Sequence, residues 1–246
     1  MLAIIGGSGL TQLSNLDVTR RLAVRTPYGE PSGALTFGRI AGVDVVFLAR
    51  HGYGHTIVPH QVNYRANIWA LREQNVEGVV SIASVGGIRA DMRPGAIAVP
   101  HQIIDYTWGR KYTFFDGGDQ SVTHIDFTEP YSASLRRRIL EAAGDCGEAV
   151  VRDGVYAASQ GPRLETAAEI NRLERDGADI VGMTGMPEAA LAREAGVEYA
   201  AIAVIANFAA GRGDSLHGVR LEDIEQVLRE ALARVRRIIE QLVSRA

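Results

Sequence analysis

The sequence predicts an α/β fold, a single domain over residues 1–246 in which helices flank a parallel or mixed sheet. Three observations carry this. Short β-branched runs recur between glycines, amphipathic helical patterns fill the intervals, and 246 residues with 46% hydrophobic content suffice for one sizeable core.

The elements follow in order. Leu2 to Ile5 is an apolar run ending on Gly6-Gly7, the signature of a buried strand meeting a turn. Val43 to Leu48, Gly78 to Val85, Ala96 to Val99, Asp179 to Met183 and Tyr199 to Ala206 repeat that pattern and are read as strands. Helical periodicity occupies Val62 to Glu73 and Tyr131 to Ala143. Pro187 opens a helix over Glu188 to Ala195 and Gly196 closes it, the usual placement of both residues. The last segment spaces Leu221, Ile224, Leu228, Leu232, Val235, Ile239 and Leu242 three or four apart, so it packs as an amphipathic helix. Gly109 to Val122 is polar, aromatic and glycine-rich, a long excursion of the kind that often carries function.

Composition removes several function classes. Twenty-six Lys and Arg against 29 Asp and Glu give a formal charge of -3 without blocks of like charge, so nothing advertises nucleic acid or an anionic membrane. Cys146 is alone, which excludes an internal disulfide or a cysteine metal cage and suits a reducing compartment; the cytoplasm is expected. No signal segment is legible at the N-terminus, and the longest apolar run, near Tyr199 to Ala210, is too short to span a bilayer.

Anion-binding chemistry recurs at predicted strand ends. In Ile4-Ile5-Gly6-Gly7-Ser8-Gly9, bare backbone amides and the Ser8 hydroxyl can hold an anion, although a tight turn alone would read the same. The third glycine of a dinucleotide fingerprint is missing after Gly7-Ser8-Gly9, and no Lys-Ser/Thr phosphate loop is present, which argues against NAD and ATP. Arg50-His51 follows a strand directly and suits an oxyanion through charge-assisted hydrogen bonds. His51, His55 and His60 carry no Glu in a His-Glu-x-x-His helix and sit around Gly52, Gly54 and Pro59, so no metal is expected. Thr184 sits between a strand and a helix, a third anion-capable end. Glu165, at a turn into a helix, reads by itself as a solvated first-turn acid, and Asn207, ending an apolar strand, as an Asx-turn.

Taken together, six ordered segments resemble the trimeric purine nucleoside phosphorylase and methylthioadenosine phosphorylase family over nearly the whole chain. They are Ile5-Gly6-Gly7-Ser8-Gly9, Arg50-His51-Gly52, Val62 to Leu71, Gly86-Gly87-Ile88, Gly161-Pro162-Arg163 and Met183-Thr184-Gly185-Met186-Pro187-Glu188. The resemblance implies a nucleoside phosphorylase fold with a mixed, partly barrel-like central sheet, and a homotrimer. It also implies no metal and no cofactor, inorganic phosphate being a co-substrate. Ser8, Arg50, His51, Ser84 and Thr184 would line the phosphate and Met183 the sugar, with Asn207, Glu165 and His51 as the catalytic set. Phe208 and Ala209 would complete the substrate wall beside Asn207.

Within that resemblance, hydrogen-bond polarity identifies the base. A 6-oxopurine carries a hydrogen on N1 and an acceptor at O6; a 6-aminopurine reverses both. Glu165 can accept from N1-H, and the Asn207 amide can donate to O6 while accepting from a protonated N7, so both favour hypoxanthine or guanine. Adenine-specific relatives have Ser in place of Glu165 and Asp in place of Asn207. At the 5' end, counting from Asn207 puts Leu221 where hydroxyl-reading relatives have His, which suits a methylthio group; a slip in the loop would substitute His217. His124 resembles the residue that a neighbouring subunit contributes there. The implied reaction is phosphorolysis of 5'-methylthioinosine. An inosine and guanosine phosphorylase, or a nucleoside-binding sensor without turnover, remain open alternatives.

Overall fold

The computed structural model describes residues 1–117 and 121–245, the side chains at 221 and 223 excepted. Among the described residues ten strands form one sheet: β1 (Leu2–Gly6), β2 (Asp17–Leu22), β3 (Leu35–Ile40), β4 (Val43–Ala49), β5 (Gly78–Gly87), β6 (Ile97–Ala98), β7 (Gln102–Asp105), β8 (Val155–Ala158), β9 (Ile180–Gly182) and β10 (Glu198–Phe208). The α-helices of the described residues that flank it are α1 (Tyr64–Arg72), α2 (Ala133–Asp145), α3 (Ala167–Arg175), α4 (Gly185–Glu194) and α5 (Leu221–Ser244).

The sheet is mixed. β1 runs parallel to β4 and β5, and β10 runs parallel to β5. β1 and β9 both pair with β5, at Gly78 to Ser81 and at Gly86 to Gly87, while β10 pairs along its whole length. The sheet therefore branches at β5, the mixed and partly barrel-like arrangement that the resemblance implies.

Strand alternation divides the core into layers. Leu2 and Ile4 of β1 join Ala200, Ile202 and Val204 of β10 beneath α2 and α5, where Leu135, Ile139, Leu232, Val235 and Ile239 cover them. Ala3 and Ile5 face the opposite way with Ala201, Ala203 and Ile205, under Ile68 and Leu71 of α1 and Leu191 of α4. Both faces of these strands are buried, which is why they read as continuous apolar runs.

Each of the six expected strands is present, within two residues at either end. Four strands carried no such signal. β2 is an edge strand of sequence Asp-Val-Thr-Arg-Arg-Leu, exposed along almost all its length, and β8 is only four residues long. In α4, Met186 is extended (φ -120, ψ 141), so the regular helix opens at Pro187 as expected. Of the excursion expected at Gly109 to Val122, residues 109–117 and 121–122 are described and contain neither helix nor strand. No helix among the described residues is long and apolar enough to cross a membrane.

Candidate active site

Parallel strands bring their carboxyl ends to one side of a sheet, where open crevices form. Ser8 follows β1, Arg50 and His51 follow β4, and Ser84 lies in the second half of β5. β9 runs against the end of β5, pairing Val181 with Gly86, and so returns Met183 and Thr184 toward Ser84. In β10 the register with β5 slips between Ile205 and Asn207, a bulge that re-aims the side chain after it.

These ends enclose a cavity of about 400 Å³. Ser8, Arg50, His51, Ser84, Glu165, Met183, Thr184, Asn207 and Ala209 all line it, so nine of the residues singled out in the sequence meet in one place. Phe208 instead lines an adjoining cavity with Asn207, Asp214 and Arg220. His124 and His217 are exposed and line neither. The side chain of Leu221 lies outside the described residues; the apolar wall on that side consists of Val219, Ile224 and Leu228.

Arg50 corrects the picture of a free anion clamp. Its side chain is fully buried and bound bidentately to Glu188, Nε to Oε2 at 2.7 Å and Nη2 to Oε1 at 2.9 Å. Nη2 also donates to Ser81 Oγ and Nη1 to the Ile82 carbonyl, leaving one Nη1 hydrogen of the five donors for a ligand. Glu188 Oε1 further accepts from Ser81 and Tyr199, each at 2.8 Å. Burial opposes the Arg50 charge, yet the Glu188 attraction and hydrogen bonds more than offset it, and the guanidinium pKa is held above its ordinary value. Gly7 allows this packing, since a Cβ there would stand 2.5 Å from the Ile82 carbonyl oxygen and 2.9 Å from Nη1.

His51 departs from the charge-assisted partner expected beside Arg50. Its Nδ1 lies 2.7 Å from the Ile57 carbonyl, which can only accept, so Nδ1 carries the proton and Nε2 is a lone pair. Burial first, then the neighbouring Arg50 charge, push its pKa down to about 4 against the opposing pull of that carbonyl. The ring is neutral at pH 7.

Glu165 is not the first-turn acid of α3. That role belongs to Glu169, which closes a capping box with Thr166, while Glu165 precedes the cap, faces the cavity and accepts from Ser159 Oγ. Asn207 Nδ2 donates to the adjacent Phe208 carbonyl at 2.6 Å, a local bond that is not the expected Asx-turn, in which the side-chain oxygen would accept from a backbone amide, and the side chain faces the cavity. Thr184 makes no side-chain cap bond to α4, and its amide is 3.4 Å from the Tyr156 hydroxyl.

Sequence reasoning missed Arg110. It lies within the glycine-rich excursion, whose composition marked the region but not the residue. Arg110 is buried, and its partners among the described residues are neutral: the carbonyls of Met183 (2.8 Å), Met186 (2.6 Å), Ser159 (3.4 Å) and Gln160 (3.0 Å), Gln160 Oε1 and Tyr64 Oη. One guanidinium thus ties the segment before Glu165 to the segment holding Met183 and Thr184. Glu188, Ser81 and Tyr199 were missed as well, because only the fold gathers them around Arg50. Among the described residues no three His, Cys, Asp or Glu side chains converge as a metal site.

Comparison with known proteins identifies the family and the fold. The phosphorylase superfamily model matches residues 1–244. The chain is 52% identical over 242 residues to the probable S-methyl-5'-thioinosine phosphorylase of Pseudomonas syringae pv. tomato, covering 98% of both chains. It is 47% identical over 215 residues to the probable 6-oxopurine nucleoside phosphorylase of Thermococcus kodakarensis, covering 85% of this chain and 80% of that one. Among solved structures, methylthioadenosine phosphorylase from Schistosoma mansoni in complex with adenine superposes with a TM-score of 0.94 at 32% identity, covering 99% of this chain and 90% of that one.

Proposed function

The chain belongs to the phosphorylase superfamily, and from that premise we propose that it cleaves S-methyl-5'-thioinosine with inorganic phosphate, releasing hypoxanthine and 5-methylthioribose 1-phosphate. The observation that carries this reading is one cavity joining three chemistries: an anion corner, a carboxylate with a carboxamide, and an apolar wall. Residues 1–246 act as a single nucleoside phosphorylase domain.

Phosphate is held by Ser8, Ser84, Thr184, His51 and the remaining Nη1 hydrogen of Arg50. As the glycosidic bond lengthens, its electron pair passes to the purine, the ribose becomes oxocarbenium-like, and a phosphate oxygen bonds to the anomeric carbon. Negative charge builds toward N7 and O6 of the leaving base. Asn207 exchanges its local bond to the Phe208 carbonyl for that charge, a contact stronger in the transition state than in the ground state and therefore one that raises kcat. Glu165, with Ser159 holding Oε1, orients the base by accepting from N1-H. Met183 lies along the sugar, and Ala209 beside Asn207 completes the substrate wall, with Phe208 behind it.

For the 5' group, Val219, Ile224 and Leu228 form a wall suited to a thioether. Leu221, the first residue of α5, is the one the family match assigns to the same 5' group. A homotrimer in the cytoplasm completes the reading. Trp108 is 71% exposed and Val122 77% exposed, apolar surface that a neighbouring subunit would cover, and His124 lies two residues beyond Val122. Phosphate serves as co-substrate, with no metal or other cofactor.

The kinship with a 6-oxopurine nucleoside phosphorylase supports inosine as a second substrate. A panel of methylthioinosine, methylthioadenosine, inosine, guanosine and adenosine with phosphate, scored by free base released, tests both ends of the pocket. Methylthioinosine is expected to give the highest kcat/KM and the 6-aminopurines the lowest. Equal rates for methylthioinosine and inosine would remove the thioether preference; preferred cleavage of methylthioadenosine would overturn the base assignment.

A further inference from the structure

We propose that His51 makes the anion corner a reader of protons: the site takes an oxyanion that carries a hydroxyl, as phosphate and arsenate do, and rejects sulfate, which carries none. The inference rests on reading this corner as the phosphate site of a phosphorylase.

A neutral imidazole has one donor and one acceptor. The donor of His51 is spent at 2.7 Å on the Ile57 carbonyl. That carbonyl is held in place, because the amides of Thr56 and Ile57 both return to the His51 carbonyl, at 3.0 and 3.1 Å. Exchanging tautomers would set two lone pairs against each other across this closed turn. Adding a second proton is opposed by burial and by Arg50, the adjoining cation; the ring of His55 packs 4.9 Å away and Glu188 lies beyond Arg50. The nitrogen left for a ligand is therefore an acceptor.

The other side chains of the corner do not impose this demand. The hydroxyls of Ser8, Ser84 and Thr184 rotate and serve as donor or acceptor; that of Ser84 is directed 3.1 Å to the Ser8 carbonyl. Arg50 contributes a donor, and its charge is already balanced by Glu188. Discrimination by net charge is weak in such a corner, so the hydrogen-bond complement decides. A fully deprotonated tetrahedral anion turns an oxygen lone pair toward Nε2 and leaves a buried acceptor unsatisfied, whereas a phosphate hydroxyl donates to it. The same bond draws the phosphate proton toward His51 and leaves the remaining oxygens, one of which attacks, more electron-rich.

Isothermal titration of the nucleoside-free protein with sodium phosphate, arsenate and sulfate at pH 7 and fixed ionic strength provides the test, with phosphorolysis of methylthioinosine measured on the same preparation. Phosphate and arsenate are expected to bind alike, and sulfate about 10- to 100-fold more weakly. His51→Gln, whose amide can donate as well as accept, is expected to bring sulfate within about threefold of phosphate. Sulfate binding the wild-type protein as tightly as phosphate, or no binding of any anion, overturns the inference; the wild-type comparison decides even if the variant does not fold. Phosphorolysis without anion selectivity would refute the proton reading and leave the proposed reaction intact. Selective anion binding without phosphorolysis would support the proton reading and refute the reaction.

Discussion

Acidification toward pH 4 asks His51 to take up a proton that its surroundings refuse, and the cost should appear as lost stability. The native pKa is lowered from the ordinary 6.5 to about 4 by burial and then by Arg50, with His55 adding to the repulsion and the Ile57 carbonyl and Glu188 opposing it. Between those two values the unfolded chain binds the proton and the native state does not, so stability rises with pH across that window. The contribution is complete above about pH 6.5, declines as pH falls below it and is gone below about 4. At 1.36 kcal/mol per pH unit the full effect is about 3 kcal/mol. The residue is only 6% exposed, so solvent screening does not reduce this much. Urea unfolding of the wild type and of His51→Gln at several pH values between about 7 and 4 isolates the term, because the other titrating groups are common to both. The stability difference between the two proteins should change by about 3 kcal/mol across the window, with the wild type losing more. Parallel stability curves, agreeing within about 0.5 kcal/mol, would refute the assignment of a buried, neutral His51.

Other substitutions probe the remaining parts of the site. Glu188→Ala leaves Arg50 buried without its counter-charge and is expected to cost about 3–5 kcal/mol, seen as a lower midpoint in urea unfolding; a loss under about 1 kcal/mol would mean the pair is not closed in solution. Asn207→Ala is expected to lower kcat about 10²-fold or more with a smaller change in KM, measured by base release, and near-normal turnover would remove it from the mechanism. Ile224→Ser introduces a hydroxyl into the apolar wall, so the kcat/KM ratio of methylthioinosine to inosine should fall about 10-fold; an unchanged ratio would place the thioether elsewhere. Arg110→Met removes donors from four carbonyls around the cavity, and thermal unfolding should show a cost of about 1–3 kcal/mol, with KM for the nucleoside raised as Met183 and Glu165 lose their anchor.

Much of the site was legible because its residues follow strands whose apolar runs are continuous. Ser8, Arg50-His51, Thr184 and Asn207 each stand at the end of such a run; the parallel strands β1, β4 and β10 deliver the first, second and last to one side, and antiparallel β9 turns Thr184 back toward them. Glu165 was legible through its motif, while its local environment read wrongly until Glu169 was seen to occupy the first turn of α3. The polar strand β2 stayed hidden because an exposed edge strand has little apolar alternation to display. The rest of the 5' wall was not legible for a related reason: counting along a loop gives position in the chain, whereas Val219, Ile224 and Leu228 face the cavity through the approach of α5.

The sequence by itself determined the α/β class, the family, the anion-capable strand ends and the two residues proposed to read the base, because each is a local pattern or an ordered set of motifs. Tertiary structure alone decided the state of those residues. Arg50 meets Glu188 across 138 positions, Arg110 meets Met186 across 76, and His51 turns its proton to Ile57 within a closed loop. Charge balance and proton position depend on which groups are buried together, and burial is set by packing between segments that no single stretch of sequence contains.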